Sequence, residues 1–419
     1  MAGDNQNNVQ LKVAVLSDLH FFSANGKPDR SPSWLQVDGA KLKSEVNPWD
    51  SLQDLISSEN LRADVLLCPG DITTWAEKHA LAFAWEKLND LRMALGAKIL
   101  ASATGNHDVS SRGAIVGANA IRDLNCPSDL IGFLKTLSPI YPVVFCPSLF
   151  DENQARQFRT QYFGDDFVRI ETDTMRLIVL NSCAHHTTIE NDYERGFVSQ
   201  AALEELKRQL DESTSRKINI LLCHHHPMLH ENHNLGSYDY MLNGQLLTDL
   251  LSAHGDWIIL HGHKHHARLA YAPASCSNSP IIFAAASFSA MLGDALSQHS
   301  RNQFYMMDIS LDHPVGPPLG AIRAWNWHNG CPWSENFDDV AGLPSGCGFG
   351  IRQHPDFLAR DINTYLGDEP VTWDSLKLQF PWLHHLIPGD LQQIEICLEK
   401  TYKIFLEKDA GTIRLIGRA

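Results

Sequence analysis

Five short stretches put Asp, Asn and His where they could hold metal ions. They are Ser17-Asp18-Leu19-His20, Pro69-Gly70-Asp71, Gly105-Asn106-His107-Asp108, His224-His225-His226-Pro227 and His261-Gly262-His263-Lys264-His265. One carboxylate can bridge two divalent ions roughly 3.5–4 Å apart, with imidazole and oxygen ligands on either side. A mixed Asp, Asn and His set suits Mn, Fe, Zn or Co, whereas an all-oxygen set favours Mg or Ca. Such a pair lowers the pKa of a bound water, supplies hydroxide at neutral pH and offsets the charge of a phosphoryl group in transfer. Each fragment alone is common by chance; the ordered set of five is specific.

The elements that must position these residues are legible. Each stretch follows a short apolar run: Leu11–Leu16, Asp64–Cys68, Lys98–Ala103, Ile218–Cys223 and Trp257–Leu260. These runs, with Arg176–Leu180, read as buried strands. Sites assemble at the carboxyl ends of such strands, because the loops there converge on a rigid frame. Helical patterns alternate with them, most clearly Ala76–Leu95 and Ser199–Leu210, the second with Ser199 as N-cap. Strand–helix alternation predicts an α/β sandwich. Later runs, Ile281–Ala286, Gln303–Ile309 and Ala321–Trp327, predict strands of a second sheet. Residues 109–166 are poorly periodic and rich in Pro, Gly and Ser, and read as an inserted cap or lid. The reading is a core domain over 1–328 and a C-terminal extension over 329–419, with a helix near Leu391–Glu407 and a strand over Thr412–Ile416.

Composition narrows the class. The 419 residues carry 34 Lys and Arg against 49 Asp and Glu, a formal charge of −15. With 44% apolar and 20% charged residues the chain is globular rather than disordered. The acidic balance speaks against a stand-alone duplex binder, which needs clustered Lys and Arg. Nine Cys, none in C-x-x-C, argue against a disulfide scaffold. The polar N-terminus lacks a signal-peptide pattern, and no apolar run reaches the ~20 residues of a membrane helix. A cytoplasmic protein with no membrane partner is expected. His stands out at 21 residues.

The order D-x-H, G-D, G-N-H-D, H-x-P and G-H-x-H resembles the calcineurin-like metallophosphoesterase superfamily. The motifs run from Asp18 to His265. The resemblance implies a four-layer αββα sandwich of two mixed sheets flanked by helices, and a cofactor of two divalent transition-metal ions. It also implies roles: Asp18 and His20 on the first metal, completed by His265; Asp71 as the bridge; Asn106, His225 and His263 on the second. His107 would protonate the leaving oxygen, with Asp108 orienting it. His225 is preferred to His224 on its spacing to Pro227, and the alternative stays open. Purple acid phosphatases carry a Tyr three residues after the bridging Asp; Thr74 stands here, so no ferric tyrosinate is expected. The run Gly70-Asp71-Ile72-Thr73-Thr74-Trp75 also departs from the G-D-x-x-D-R-G of protein Ser/Thr phosphatases.

Further candidates are Phe21 as an apolar wall for substrate and His185 and Arg195 as phosphate contacts. Trp325, Trp327 and Trp333 read as a seal between core and extension rather than a stacking platform. The expected activity is metal-dependent phosphate-ester hydrolysis, phosphodiesters favoured, with nucleotides among the substrates considered. A nuclease subunit of a larger complex and a non-catalytic interaction module are the alternatives. A protein partner or homo-oligomer could engage the C-terminal extension.

Overall fold

The computed structural model describes residues 9–418, apart from 24–32, 38–46, 75, 110–131, 187–193, 214, 230–239, 274–277, 312–315, 339 and 410. In chain order the first strands are β1 (Val9–Val15), β2 (Val65–Cys68), β3 (Ile99–Ser102) and β4 (Val143–Phe145). Six more follow: β5 (Phe167–Glu171), β6 (Met175–Leu180), β7 (Ile218–Leu222), β8 (Trp257–His261), β9 (Arg268–Tyr271) and β10 (Ile281–Ala284). Then come β11 (Asn302–Leu311), β12 (Leu319–Trp327), β13 (Ser334–Glu335) and β14 (Cys347–Phe349). The first sheet has the order β13-β12-β11-β1-β2-β3-β4, with β14 also on β12; the second is β5-β6-β7-β8-β10-β9.

The motif-bearing strands are parallel within each sheet. β1 pairs β2 and β2 pairs β3, while β6, β7 and β8 run parallel in turn. Their carboxyl ends therefore open on one edge of the sandwich. Antiparallel partners close the borders: β11 on β1, β4 on β3, β5 on β6 and β9 on β10.

Helices cover both outer faces. α1 (Pro48–Ser58) and α2 (Lys78–Ala94) pack on the first sheet, and α3 (Glu152–Gly164) lies beside β4 and β5. α4 (Gln200–Asp211) and α5 (Gly244–Ala253) cover the second. Local chemistry starts them, at Ser199 as the sequence predicts. Asn47 caps α1, Asp151 and Gln154 form a capping box on α3, and the Ser199 side chain accepts from Ala202 N at α4. The αββα sandwich follows from the alternation along each strand. Ile218, Ile220, Leu222, Ile258 and Leu260 join the core shared with the first sheet. Leu221, Cys223, Trp257 and Ile259 face the cluster under α4 and α5.

Within 109–166, the described part supplies β4 and α3, so it builds the sheet border as well as whatever covers it. Trp325, Trp327 and Trp333 are buried; Trp333 Nε1 donates to Pro48 O at 2.8 Å, fastening α1 to the segment after β12. Beyond Phe349 a second core forms around Leu358, Ile362, Trp373, Leu376, Ile394 and Leu398. It is built from α6 (Pro355–Tyr365), β15 (Val371–Thr372), α7 (Trp373–Gln379), α8 (Pro388–Lys400), β16 (Ile404–Asp409) and β17 (Thr412–Arg418). The helix expected over Leu391–Glu407 ends at Lys400; Lys403 takes a left-handed backbone (φ 57°) and the chain returns as β16. The unit is fixed to the sandwich. Tyr271 Oη donates to Ile351 O and accepts from Gly350 N, Arg352 lies over the Tyr271 ring at 4.8 Å, and His385 Nδ1 donates to Gly320 O.

Candidate dinuclear metal site

All five motif loops meet at the carboxyl edge between the two sheets. Their backbones are unusual. Asp18, His20, Asp71, His263 and His265 have φ of 53°, 51°, 51°, 79° and 54°. Left-handed φ in a non-glycine residue costs of order 1–3 kcal/mol and persists only where the surroundings enforce it. Two glycines show how tightly they do. A Cβ on Gly105 would lie 2.1 Å from Asp71 Oδ1, and one on Gly262 would lie 2.4 Å from Asp18 Oδ2.

The side chains form two half-sites sharing Asp71. In the first, His20 Nε2 and His265 Nε2 are 3.0 Å apart, and His265 Nε2 is 3.4 Å from Asp18 Oδ1. In the second, His224 Nε2 is 3.0 Å from Asn106 Oδ1, and His263 Nδ1 is 3.2 Å from both. Asp71 Oδ2 lies between them, 3.8 Å from His20 Nε2 and 3.4 Å from His224 Nε2. Its Oδ1 accepts from His107 N at 2.8 Å, which aims the carboxylate.

Proton bookkeeping makes the second half-site informative. His224 Nδ1 donates to Pro69 O at 3.0 Å. Burial, ahead of neighbouring charges, lowers the His224 pKa, so the ring is neutral and Nε2 bears a lone pair. That lone pair faces Asn106 Oδ1, another acceptor. Two acceptors 3.0 Å apart in a buried site repel unless a cation lies between them. Burial likewise holds His263 well below the usual histidine value. The Asn106 Nδ2 and His263 Nε2 atoms are buried without a hydrogen-bond partner. The residues present thus fit a pair of divalent cations: imidazoles, carboxylates and an amide oxygen at the separations of one coordination shell.

The carboxylates respond to the same environment. Burial acts to raise Asp18, but the hydrogen bond and charge of His265 outweigh it and hold Asp18 below the usual range. Asp108 is pushed up to about 8, first by burial and then by the charge of Asp71. Its oxygens accept from Thr73 N and Gly105 N at 3.0 and 2.9 Å, so it braces the two loops. The His107 imidazole instead meets Thr74, Nδ1 to Oγ1 at 3.3 Å.

A small cleft opens over the cluster, lined by Asp71, Asn106, His107, Glu194, His263, Lys264 and His265. Glu194 and Lys264 at its mouth were not anticipated. Glu194 is an exposed loop residue and leaves no periodic signal; Lys264 is half-buried and sits inside the last motif. Other candidates lie elsewhere. Phe21 is 3% exposed and packs edge-on against Trp49 and Phe83, inside the core rather than along the cleft. His185 pairs with Asp166 at 2.8 Å, and the Arg195 carbonyl accepts from His186 Nε2. His225 lies beside His224 and His263 but has no contact with Asn106 among those the structure shows, its Nδ1 being 2.8 Å from Ser182 Oγ.

The model of the calcineurin-like phosphoesterase family matches residues 11–267, more than half of the chain and all five loops. The chain belongs to the calcineurin-like phosphoesterase family. A second model, a calcineurin-associated wHTH module, matches residues 347–400 and so the α6–α8 unit of this phosphoesterase-family chain. No curated protein matches the chain in sequence. Similar solved structures include a purple acid phosphatase from yellow lupin (Lupinus luteus) seeds, with a TM-score of 0.45 and 12% identity, covering 75% of this chain and 51% of that one. The NAD nucleotidase of Haemophilus influenzae gives 0.36 and 11%, with 78% and 54% covered. The phosphopantetheinyl hydrolase of Mycobacterium tuberculosis gives 0.33 and 10%, with 67% and 90% covered. The chain spans about half the length of the first two. Among the described residues, no helix is long and apolar enough to cross a membrane.

Proposed function

We propose that this chain is a dinuclear metal-dependent phosphoesterase acting on phosphodiesters in preference to monoesters. The observation that carries the reading is the His224 Nε2 lone pair 3.0 Å from Asn106 Oδ1, acceptor facing acceptor beside the shared carboxylate of Asp71. Asp18, His20, Asp71 and His265 would hold one ion, and Asp71, Asn106, His224 and His263 the other. His224 replaces His225 in this assignment. The mixed donor set suits Mn, Fe, Zn or Co. When bound, two such ions polarise a water nucleophile and neutralise charge on the phosphoryl group.

The chain's own residues do the rest. The Asn106 amide Nδ2, buried without a partner, can donate to a phosphoryl oxygen entering the cleft. His107 stands on the rim with Nδ1 turned to Thr74, so its opposite edge can hold a proton for the departing alkoxide. Diesters are favoured because a positioned general acid matters most for a poor leaving group. Asp108 serves through the backbone, holding Gly105 and Thr73 in register beside the ligands.

The test is a panel of p-nitrophenyl phosphate, bis-p-nitrophenyl phosphate, cyclic nucleotides and single-stranded DNA, each with Mn, Zn, Co and Mg. Diester hydrolysis abolished by chelation and restored by a transition metal supports the reading. Undiminished turnover by metal-free protein overturns it. Faster turnover of the monoester than of every diester overturns the preference.

A further inference from the structure

Immediately behind the dinuclear cluster lies a second group of ligating side chains that the proposed function does not use. The chain leaves β6 in a tight turn, with Ala184 N donating to Asn181 O and His186 N to Cys183 O at 3.1 Å. That turn makes Cys183 and His186 a Cys-x-x-His pair, two residue types that serve Cys/His zinc sites. His225 joins them from the end of β7. One ligating atom from each of Cys183, His186 and His225 lies within 4.8 Å of the others, and all three residues are buried.

The polar atoms around them are arranged as for a metal. His186 Nε2 donates to Arg195 O at 2.9 Å, so Nδ1 is the ring nitrogen that would ligate. His225 is fully buried; its Nδ1 is fixed by Ser182 Oγ at 2.8 Å, and its Nε2 has no hydrogen-bond partner. The loop carrying Gly196 presses on that ring so closely that a Cβ there would sit 2.5 Å from His225 Cβ. An orienting hydroxyl and a packed wall are what hold a metal-binding imidazole in place. The Cys183 thiol is in contact with Thr104 O at 3.2 Å.

We propose that Cys183, His186 and His225 form a third metal site, distinct from the dinuclear pair and selective for a thiolate-seeking divalent ion such as Zn2+. Binding draws three donors inward from within 4.8 Å to the roughly 3.5 Å separation that Zn–S and Zn–N bond lengths impose. The Cys183 thiol releases its proton to solvent as the sulfur becomes a ligand. The site abuts the second half-site, the His225 and His263 rings lying 4.5 Å apart between centroids, and none of the donors assigned to one is assigned to the other. It does not depend on the phosphoesterase reading, whose donor set contains no thiolate.

Cobalt(II) gives a readout independent of activity. Metal-free full-length protein titrated with Co2+ should develop a near-ultraviolet thiolate-to-cobalt charge-transfer band. C183S should lack the band and bind one cobalt fewer per chain. H186Q should retain the thiolate and shift the midpoint of the band at least ~10-fold to higher cobalt. A cobalt-saturated wild-type protein without the band overturns the proposal, as does a band that persists in C183S. Should C183S not fold, the H186Q titration decides: an unmoved midpoint removes His186 from the site and overturns the proposal. Loss of hydrolysis in the substrate panel with the band intact would condemn the phosphoesterase reading alone.

Discussion

At the scale of single residues, the cluster works because Asp71 offers Oδ2 to both half-sites while its Oδ1 is fixed by His107 N. His224 completes the second half. H224A should therefore lower metal affinity there at least ~10-fold and cut hydrolysis by ~10² or more. Metal analysis showing both ions retained at near-normal rate would remove His224 from the ligand set. His107 invites a different measurement, since it is assigned a proton rather than a metal. H107A should keep its metal content and lose ~10²–10⁴-fold against an alkoxide leaving group, but little against p-nitrophenolate. Equal losses for both would make His107 a positioning group. The proposed ligands Asp18, His20, Asp71, Asn106, His263 and His265 stand out in the sequence because each follows closely on an apolar run, and the structure brings them together. Between His224 and His225, spacing to Pro227 favours His225, whereas the alternation along β7 bears on the proposed choice of His224. Ile218, Ile220 and Leu222 face the core between the sheets, and continuing their alternation points His224, not His225, the same way.

At the scale of elements, the strands supply direction and the glycine turns supply proximity. G105A should force the Asp71 loop away, because the new Cβ meets both Asp71 Oδ1 and Asp71 N within 2.2 Å. The expected result is loss of metal with about 1–3 kcal/mol of destabilisation, read by metal analysis and denaturant unfolding. Far from the site, Glu171 at the end of β5 accepts from both Arg169 and Arg176. Burial acts to raise its pKa, but these guanidiniums outweigh it and hold Glu171 near 2 against an ordinary 4.5. A depressed carboxylate stabilises the fold above its unfolded pKa and loses that contribution as pH falls. Stability should decline between about pH 4.5 and 2, and E171Q should flatten that segment of a pH-unfolding series. A wild-type segment as flat as the variant's would show that the pair contributes nothing. Strands with an alternating or wholly apolar run were readable from sequence. The end of α8 was not, because Leu398, Ile404 and Phe405 continue an apolar pattern across the turn at Lys403 that converts helix to strand.

At the scale of the whole molecule, the C-terminal unit has the helix and hairpin order of a winged helix-turn-helix without its usual charge. α8, which follows α7 in the position of a groove-reading helix, carries Asp390, Glu395 and Glu399 against Lys400 alone. On the hairpin, Lys408 is paired with Glu395 and Arg414 with Asp409. α8 itself thus offers a phosphate backbone little positive charge, and the unit's contacts run inward, through Tyr271, Arg352 and His385, to the sandwich. The antiparallel pairing of β1 with β11 has a consequence for biosynthesis. β1, the strand that leads into Asp18 and His20, sits inside the sheet between β2 and β11, and Val9 is matched with Leu311. During translation β2 and β3 emerge early and can pair on one side, while the other edge of β1 waits for nearly three hundred residues. An open apolar strand edge is an aggregation template. A nascent chain halted at residue 300 should therefore be protease-sensitive and aggregation-prone despite already containing every proposed ligand. One halted past Trp327 should be released compact, and equal protease resistance of the two would show that β11 does not close the fold. The proposed metal site is complete in sequence by His265, yet it becomes durable only when β11, a strand that carries none of the proposed ligands, pairs with β1 and covers its foundation.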